Sequence, residues 1–202
     1  FSLNPNIRLL HGDIRNKEKC LELSMNIDVV IHAAAMKHVD ICEYNPQEVV
    51  ATNITGTENI INACIKNNVQ KFMLVSTDKA VNPNTIMGTS KLMAEKISIN
   101  ANYGHAKAKQ SFHVIRFGNV IGSRGSVLEI FNSQLKKNLN LTITHKEMTR
   151  FFMNHEEAVK KILKSFEICR GGEVFVIQNM HSFKIKDLAE VLLNYYKKKK
   201  KI

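Results

Sequence analysis

No run of about 18 apolar residues occurs in the 202-residue chain, so no membrane-spanning helix is expected within it. The opening, FSLNPNIRLL, lacks a basic stretch followed by a long apolar one, so no secretion signal is expected there either. The first residue is not Met and a strand pattern begins almost at once, so the chain reads as a piece of a longer protein, with an upstream membrane or targeting segment left open. The four cysteines, Cys20, Cys42, Cys64 and Cys169, form no C-x-x-C pair, and a domain of this size needs no disulfide staples. They are expected to be reduced, which points to the cytoplasm. The eight histidines form no H-x-x-x-H or Cys/His cluster, so no metal site is expected.

Acidic balance is also missing. The formal charge is +11, and removing the five lysines of 197–201 leaves +6 for the body. A terminal lysine run reads first as a solvated, disordered tail over 197–202. An anionic-lipid or nucleic-acid anchor is the bolder reading, but no aromatic residues interleave with the lysines, so nucleic acid is not expected as a partner. The positive body suits a binder of phosphorylated substrates. Oligomeric state stays open, with a homo-oligomer among the options.

What is present is an alternation of short apolar runs and helical patterns. The runs are IRLL (7–10), DVVIHA (28–33), KFMLVS (71–76), FHVIRFG (112–118) and EVFVIQ (173–178). Several lack polar alternation, which suits strands covered on both faces. Helical patterns lie near 16–24, 46–68, 84–103, 126–138 and 154–169, with Pro46 suited to a first turn. A last helix over 184–196 puts Ile185, Leu188, Ala189, Leu192 and Tyr196 on one stripe. This order predicts an α/β fold, a Rossmann-like doubly wound parallel sheet with its ligands at one strand edge. A composition shift after Gly125 suggests a dinucleotide-binding part over 1–125 and a small substrate-binding part over 126–196. The glycine-rich strand-turn-helix that should open such a sheet is absent, so the sheet is expected to be incomplete at its N-terminus.

Polar groups gather after the strands. In HGDIRN (11–16), Asp13 is either a turn cap or an acceptor for an adenine amino group, with the Ile14 N–H beside it. IHAAAMKHVD ends a strand in Ala33, Ala34 and Ala35, small enough for a flat cofactor or for close helix packing; Lys37 and His38 follow on the ligand edge. His32 reads as a bonded core histidine rather than a ligand. Asn53 lies within a helix, where it is disfavoured; it bonds across to the next strand, shapes a water site or is simply a surface group. STDKA (76–80) collects a hydroxyl, an acid and a base at a strand end, which packing alone does not explain. MGTSK (87–91) places Met87 and Lys91 one turn apart on a helix face. RFGNVIGSRGSV supplies Asn119 and Arg124, and EMTRFFM supplies Thr149 and Arg150, all suited to a uracil or phosphate or, equally, to an ordinary surface.

The layout STDKAVNPNTIMGTSK resembles the active site of the short-chain dehydrogenases, with Met87 where Tyr-x-x-x-Lys would have Tyr. HGDIRN, IHAAAMKHV, TNITGTENI, STDKAVNP-x3-MG-x2-K, RFGNVIGSRGSV, MTRFFM and GGEVFV occur in that order over roughly 7–193. Together they resemble the UDP-N-acetylglucosamine 4,6-dehydratases of polysaccharide biosynthesis, extended short-chain dehydrogenases some of which carry Met at this place. The resemblance implies a UDP-hexosamine substrate and tightly held NAD or NADP. It implies that Thr77, Met87 and Lys91 occupy the triad positions and that Asp78 and Lys79 are the acid and base of dehydration. It further implies adenine contacts from Asp13 and Ile14, a cofactor lining from Ala33, Ala34 and Ala35, and UDP-sugar contacts from Asn119, Arg124 and Arg150. Lys37, Asn53 and Thr149 complete the candidates, Lys37 for both cofactor and substrate. The chain departs from this family in lacking the glycine-rich loop and in ending in lysines. A 4-epimerase or reductase on the same scaffold, or an inactive nucleotide-sugar-binding fragment, are the competing readings.

Overall fold

The computed structural model describes residues 4–104, 106–107, 109–123, 125–178 and 180–196. Arg124 and the lysine run 197–201 therefore lie outside the described residues. In chain order the elements are α1 (Lys17–Leu23), β1 (Val29–His32), α2 (Val39–Tyr44), α3 (Pro46–Val49), a π-helical turn (Val50–Thr55) and α4 (Gly56–Lys66). There follow β2 (Lys71–Thr77), a 3-10 turn (Asp78–Ala80), α5 (Ile86–Gly104), β3 (Ser111–Phe117), β4 (Asn119–Val120) and α6 (Val127–Lys136). The chain continues through β5 (Thr149–Met153), α7 (His155–Ile168), β6 (Val174–Val176), β7 (His181–Lys184) and α8 (Ile185–Tyr195). Two compact units result, 1–116 with 165–176, and 117–164 with 177–202. The composition shift at Gly125 falls inside the second of them.

The first unit is built on a sheet of order β1-β2-β3-β6, with β1 parallel to β2 and β3 parallel to β6. The parallel pairing follows from the sequence: helices intervene between these strands, and a parallel pair needs such a crossover. Phe72, Met73 and Leu74 of β2 and Phe112, Val114 and Ile115 of β3 are all buried, which is why their runs show no polar alternation. Phe72 and Phe112 meet at 5.3 Å between ring centroids and pack with Ile61, Cys64 and Val69 from the α4 side. α1 follows a helix cap: the Asn16 side chain accepts the Lys19 N–H at 2.9 Å.

One expected strand is not formed. IRLL (7–10) has no strand pairing, and Leu9 is 70% exposed. In the doubly wound order 3-2-1-4-5-6 a third strand bonds only to the second, and none of the described residues offers it that neighbour. The apolar pattern is therefore present without the hydrogen-bond partner that would make it a strand. The expected helix over 46–68 is also interrupted, by the π-helical turn that carries Asn53.

In the second unit β5 lies between β4, which it pairs in parallel, and β7, which it pairs antiparallel. Phe131 and Leu135 of α6, Leu141, Phe152 of β5, and Ile185, Ala189 and Leu193 of α8 form its core. The expected α8 stripe holds for Ile185 and Ala189, which are buried, and for Leu188 and Leu192, which pack half-buried against this core, whereas Tyr196 is exposed and its hydroxyl donates to Asn132 Oδ1 at 3.3 Å. Among the described residues no helix is long and apolar enough to cross a membrane, and no group of three His, Cys, Asp or Glu could hold a metal ion.

Candidate active site

At the carboxyl end of β2 the chain turns sharply. Thr77 caps the 3-10 turn by accepting the Lys79 N–H at 3.3 Å. Its hydroxyl donates to Asp78 Oδ1 at 2.9 Å, and Lys79 Nζ donates to the same oxygen at 3.0 Å. All three side chains are half-buried. The hydroxyl, acid and base predicted from STDKA thus meet at one carboxylate oxygen.

α5 is brought against this turn by a glycine. A Cβ on Gly88 would stand 2.4 Å from the Lys79 carbonyl oxygen, so only glycine permits this approach. The N-terminus of α5 is fixed twice: Thr85 Oγ1 accepts the Gly88 N–H at 3.1 Å, and Glu43 of α2 accepts the Ile86 N–H at 2.8 Å. A carboxylate at that end also favours the helix dipole. One turn into α5, Lys91 is buried and its Nζ donates to the Val75 carbonyl at 2.6 Å, two residues before Thr77. Burial pushes Lys91 down to about 8, while the nearby negative charge of Glu95 opposes the shift. Met87 turns into an apolar cluster with Cys42 and Val49, flanked by Met36, Val39 and Ile86.

The segment after β1 is held from behind. Asn53 is fully buried; its Oδ1 accepts the Met36 N–H at 2.8 Å, and its Nδ2 donates to the Met36 carbonyl at 3.0 Å and to Ser90 Oγ at 2.9 Å. This residue therefore acts as a clamp between the 33–36 segment and α5. Ala33 and Ala34 are exposed beyond the strand, Ala35 is half-buried, and Lys37 is exposed. His32 is a bonded core histidine, as its apolar strand suggests: Nε2 lies 2.9 Å from Thr57 Oγ1. Burial, with the charge of Lys91, takes it down to about 4.

Asp13 caps its own turn, accepting the Arg15 N–H at 2.9 Å, and its carboxylate pairs with the Arg15 guanidinium at 2.7 Å. That pairing holds Asp13 down at about 2. Arg15 also reaches Glu48 at 2.8 Å. Ile14 is half-buried and packs against Gly56 of α4, where an added Cβ would meet it at 2.7 Å.

A group that the motifs did not flag lies beneath the site. Glu95, one turn beyond Lys91, is 1% exposed and accepts Arg116 Nε at 2.8 Å, a second bond from the same guanidinium, and the Ser76 hydroxyl. The available signal was an arginine inside the apolar run FHVIRFG together with an acid four residues after Lys91.

In the second unit, Asn119 sits on β4 opposite Phe152 of β5. Arg150 is half-buried on β5 with Nη1 donating to the Thr149 carbonyl at 2.9 Å, and Thr149 is exposed. Gly118 lets the chain pass within 2.9 Å of the Phe151 carbonyl, measured from an added Cβ.

Known proteins resemble this chain in sequence and fold. A UDP-N-acetylglucosamine 4,6-dehydratase (inverting) of Campylobacter jejuni is 46% identical over 189 residues, which cover 93% of this chain and 56% of that protein. A protein named UDP-glucose 4-epimerase in Rickettsia bellii is 42% identical over 98% of this chain and 58% of its own length. The crystal structure of Pen from Bacillus thuringiensis superposes with a TM-score of 0.94 at 42% identity, over 98% of this chain and 63% of that one. The chain thus spans little more than half the length of these two curated relatives. Residues 2–202 match the family described as polysaccharide biosynthesis protein, and with a Rossmann-like parallel sheet and these strand-end motifs in place, the chain belongs to that family.

Proposed function

We propose that the protein carrying this chain is a nucleotide-sugar 4,6-dehydratase that converts a UDP-N-acetylhexosamine into its 4-keto-6-deoxy product. The observation that carries the reading is the convergence of Thr77, Asp78 and Lys79 on one carboxylate oxygen beside the helix that bears Lys91. Dehydration needs a base for the proton on sugar carbon 5 and an acid for the departing carbon-6 hydroxyl. Lys79 takes the first role and Asp78 the second. Their 3.0 Å contact lets the proton that Lys79 gains pass to Asp78, which restores the pair after each turnover. Thr77 orients the carboxyl group through its hydroxyl. Met87, lacking any titratable group and packed among apolar side chains, takes no proton.

The residues present fit part of a dinucleotide. The exposed Ala33 and Ala34, with the backbone of Met36 pinned by Asn53, make a fixed wall of small side chains at the strand edge. Ile14 and the exposed Asp13 would face the adenine, and Lys91 and Lys37 the ribose and phosphate side. Asn53 serves this wall through the backbone it clamps. A bound nicotinamide would accept the hydride of sugar carbon 4 and give it back to carbon 6, while the proton shed by the 4-hydroxyl balances the one that carbon 5 regains. Asn119, Arg124, Thr149 and Arg150 are the residues proposed to hold the UDP moiety, and Lys37 a further contact. The free thiols of Cys20, Cys42, Cys64 and Cys169 suit a reducing compartment, in keeping with a cytoplasmic site.

The test is product mass. The full encoded protein, given NAD or NADP and UDP-N-acetylglucosamine, should release a product lighter by one water, and Lys79→Ala should reduce the rate by about 100-fold or more. The name borne by the rickettsial relatives favours a second reading, 4-epimerisation, in which product and substrate have equal mass. Full turnover in the Lys79→Ala protein would remove this residue from the mechanism.

A further inference from the structure

Two successive residues of β2 are gripped by two residues one turn apart on α5. Lys91 Nζ bonds the Val75 carbonyl at 2.6 Å, and Glu95 accepts the Ser76 hydroxyl. Glu95 is also clamped in a bidentate pair by Arg116, near the end of β3, with Nε at 2.8 Å. The acid is 1% exposed, and the Arg116 side chain 19% exposed. Burying such a pair adds little stability over apolar side chains of like volume, because desolvation offsets most of the attraction. Its geometric effect is specific: one carboxylate joins the ends of β2 and β3 to α5, directly before the turn that carries Thr77, Asp78 and Lys79.

We propose that Glu95 is a positioning residue of this site, whose buried carboxylate registers the end of β2 against α5 and so fixes the Thr77–Lys79 turn relative to Lys91. The inference rests on the dehydratase reading, in which those groups do the chemistry. Glu95 touches neither reacting atom nor cofactor; it acts through Ser76 and Arg116. Glutamine cannot replace it, since the amide would turn a donor toward the guanidinium, which offers only donors.

The experiment is a comparison of Glu95→Met, Arg116→Met and the double variant in the full encoded protein. The single variants each leave a buried polar group unpaired and should lower Tm and turnover together. The double variant should regain most of the lost Tm, while kcat stays about 100-fold below the unsubstituted protein and KM for the UDP-sugar moves by no more than about twofold. Recovery of kcat along with Tm overturns the inference, since the pair would then be only structural. If the double variant does not fold, Ser76→Ala decides: it cuts only the tie to β2, and should lower kcat about tenfold while lowering Tm by only a few degrees. Unaltered kcat in Ser76→Ala overturns the inference equally. Absence of water loss by the unsubstituted protein defeats the dehydratase reading alone; water loss at full rate in these variants defeats the positioning role alone.

Discussion

Replacing Gly88 by Ala tests the contact on which the site's geometry depends. The new Cβ would lie 2.4 Å from the Lys79 carbonyl oxygen, 3.0 Å from Pro83 Cβ and 3.2 Å from Thr85 Oγ1. A carbon and a carbonyl oxygen rest at about 3.3–3.6 Å, so helix and turn must part by roughly 1 Å. The neighbour is backbone, which cannot swing aside as a side-chain end would. Gly88 does not have a positive φ, so Ala adopts its conformation freely and gains about 1 kcal/mol of helix propensity. Overpacking costs about 1–3 kcal/mol, leaving a net stability loss no greater than about 2 kcal/mol. The catalytic loss should be larger, because a displacement of about 1 Å between reacting groups is worth about 100-fold in rate. Gly104, at the other end of the same helix, is the control: nothing lies within 4 Å of its added Cβ. Tm and the rate of water loss should be measured on both variants of the full encoded protein. Gly88→Ala should be folded and slow, Gly104→Ala folded and unimpaired. Equal turnover in the two would refute the claim that close approach of α5 to the turn sets the active geometry.

Lys91 gives a pH signature. Burial takes it down to about 8, so turnover that depends on its positive charge should fall as pH rises through that value, and Lys91→Arg should move the alkaline limb upward even at a lower rate. Stability should change on the acid side. His32 and His113 are both buried and held at about 4 against an ordinary 6.5, chiefly by burial. Their folded values lie below the unfolded one, so their contribution is intact above about pH 6.5 and is lost as pH falls toward 4, by up to about 3 kcal/mol each. Urea unfolding at pH 7.5 and 5 checks this, and His113→Phe should weaken the dependence. Met87→Ala should destabilise by about 2–5 kcal/mol through the cavity left among Cys42, Val49 and Met36, seen as a lower denaturant midpoint.

The sequence alone carried the local information. Unbroken apolar runs such as KFMLVS marked β2 and β3 as strands covered on both faces, because the pattern of burial repeats with the pattern of the backbone. The intervening helices required parallel pairing, and STDKA placed a hydroxyl, an acid and a base together at a strand end. Tertiary structure decided whatever depends on a partner distant in the chain. IRLL has the composition of a strand and lacks a neighbour to bond, so it forms none. Asn53 reads as a misplaced polar residue until Met36 and Ser90 are brought to its amide. Gly88 is one of three helix glycines, with Gly56 and Gly104, until the Lys79 carbonyl stands against it. Glu95 and Arg116, far apart in sequence, become a single buried ion pair only when α5 crosses the sheet, because a charge can leave water only where its counter-charge is already fixed.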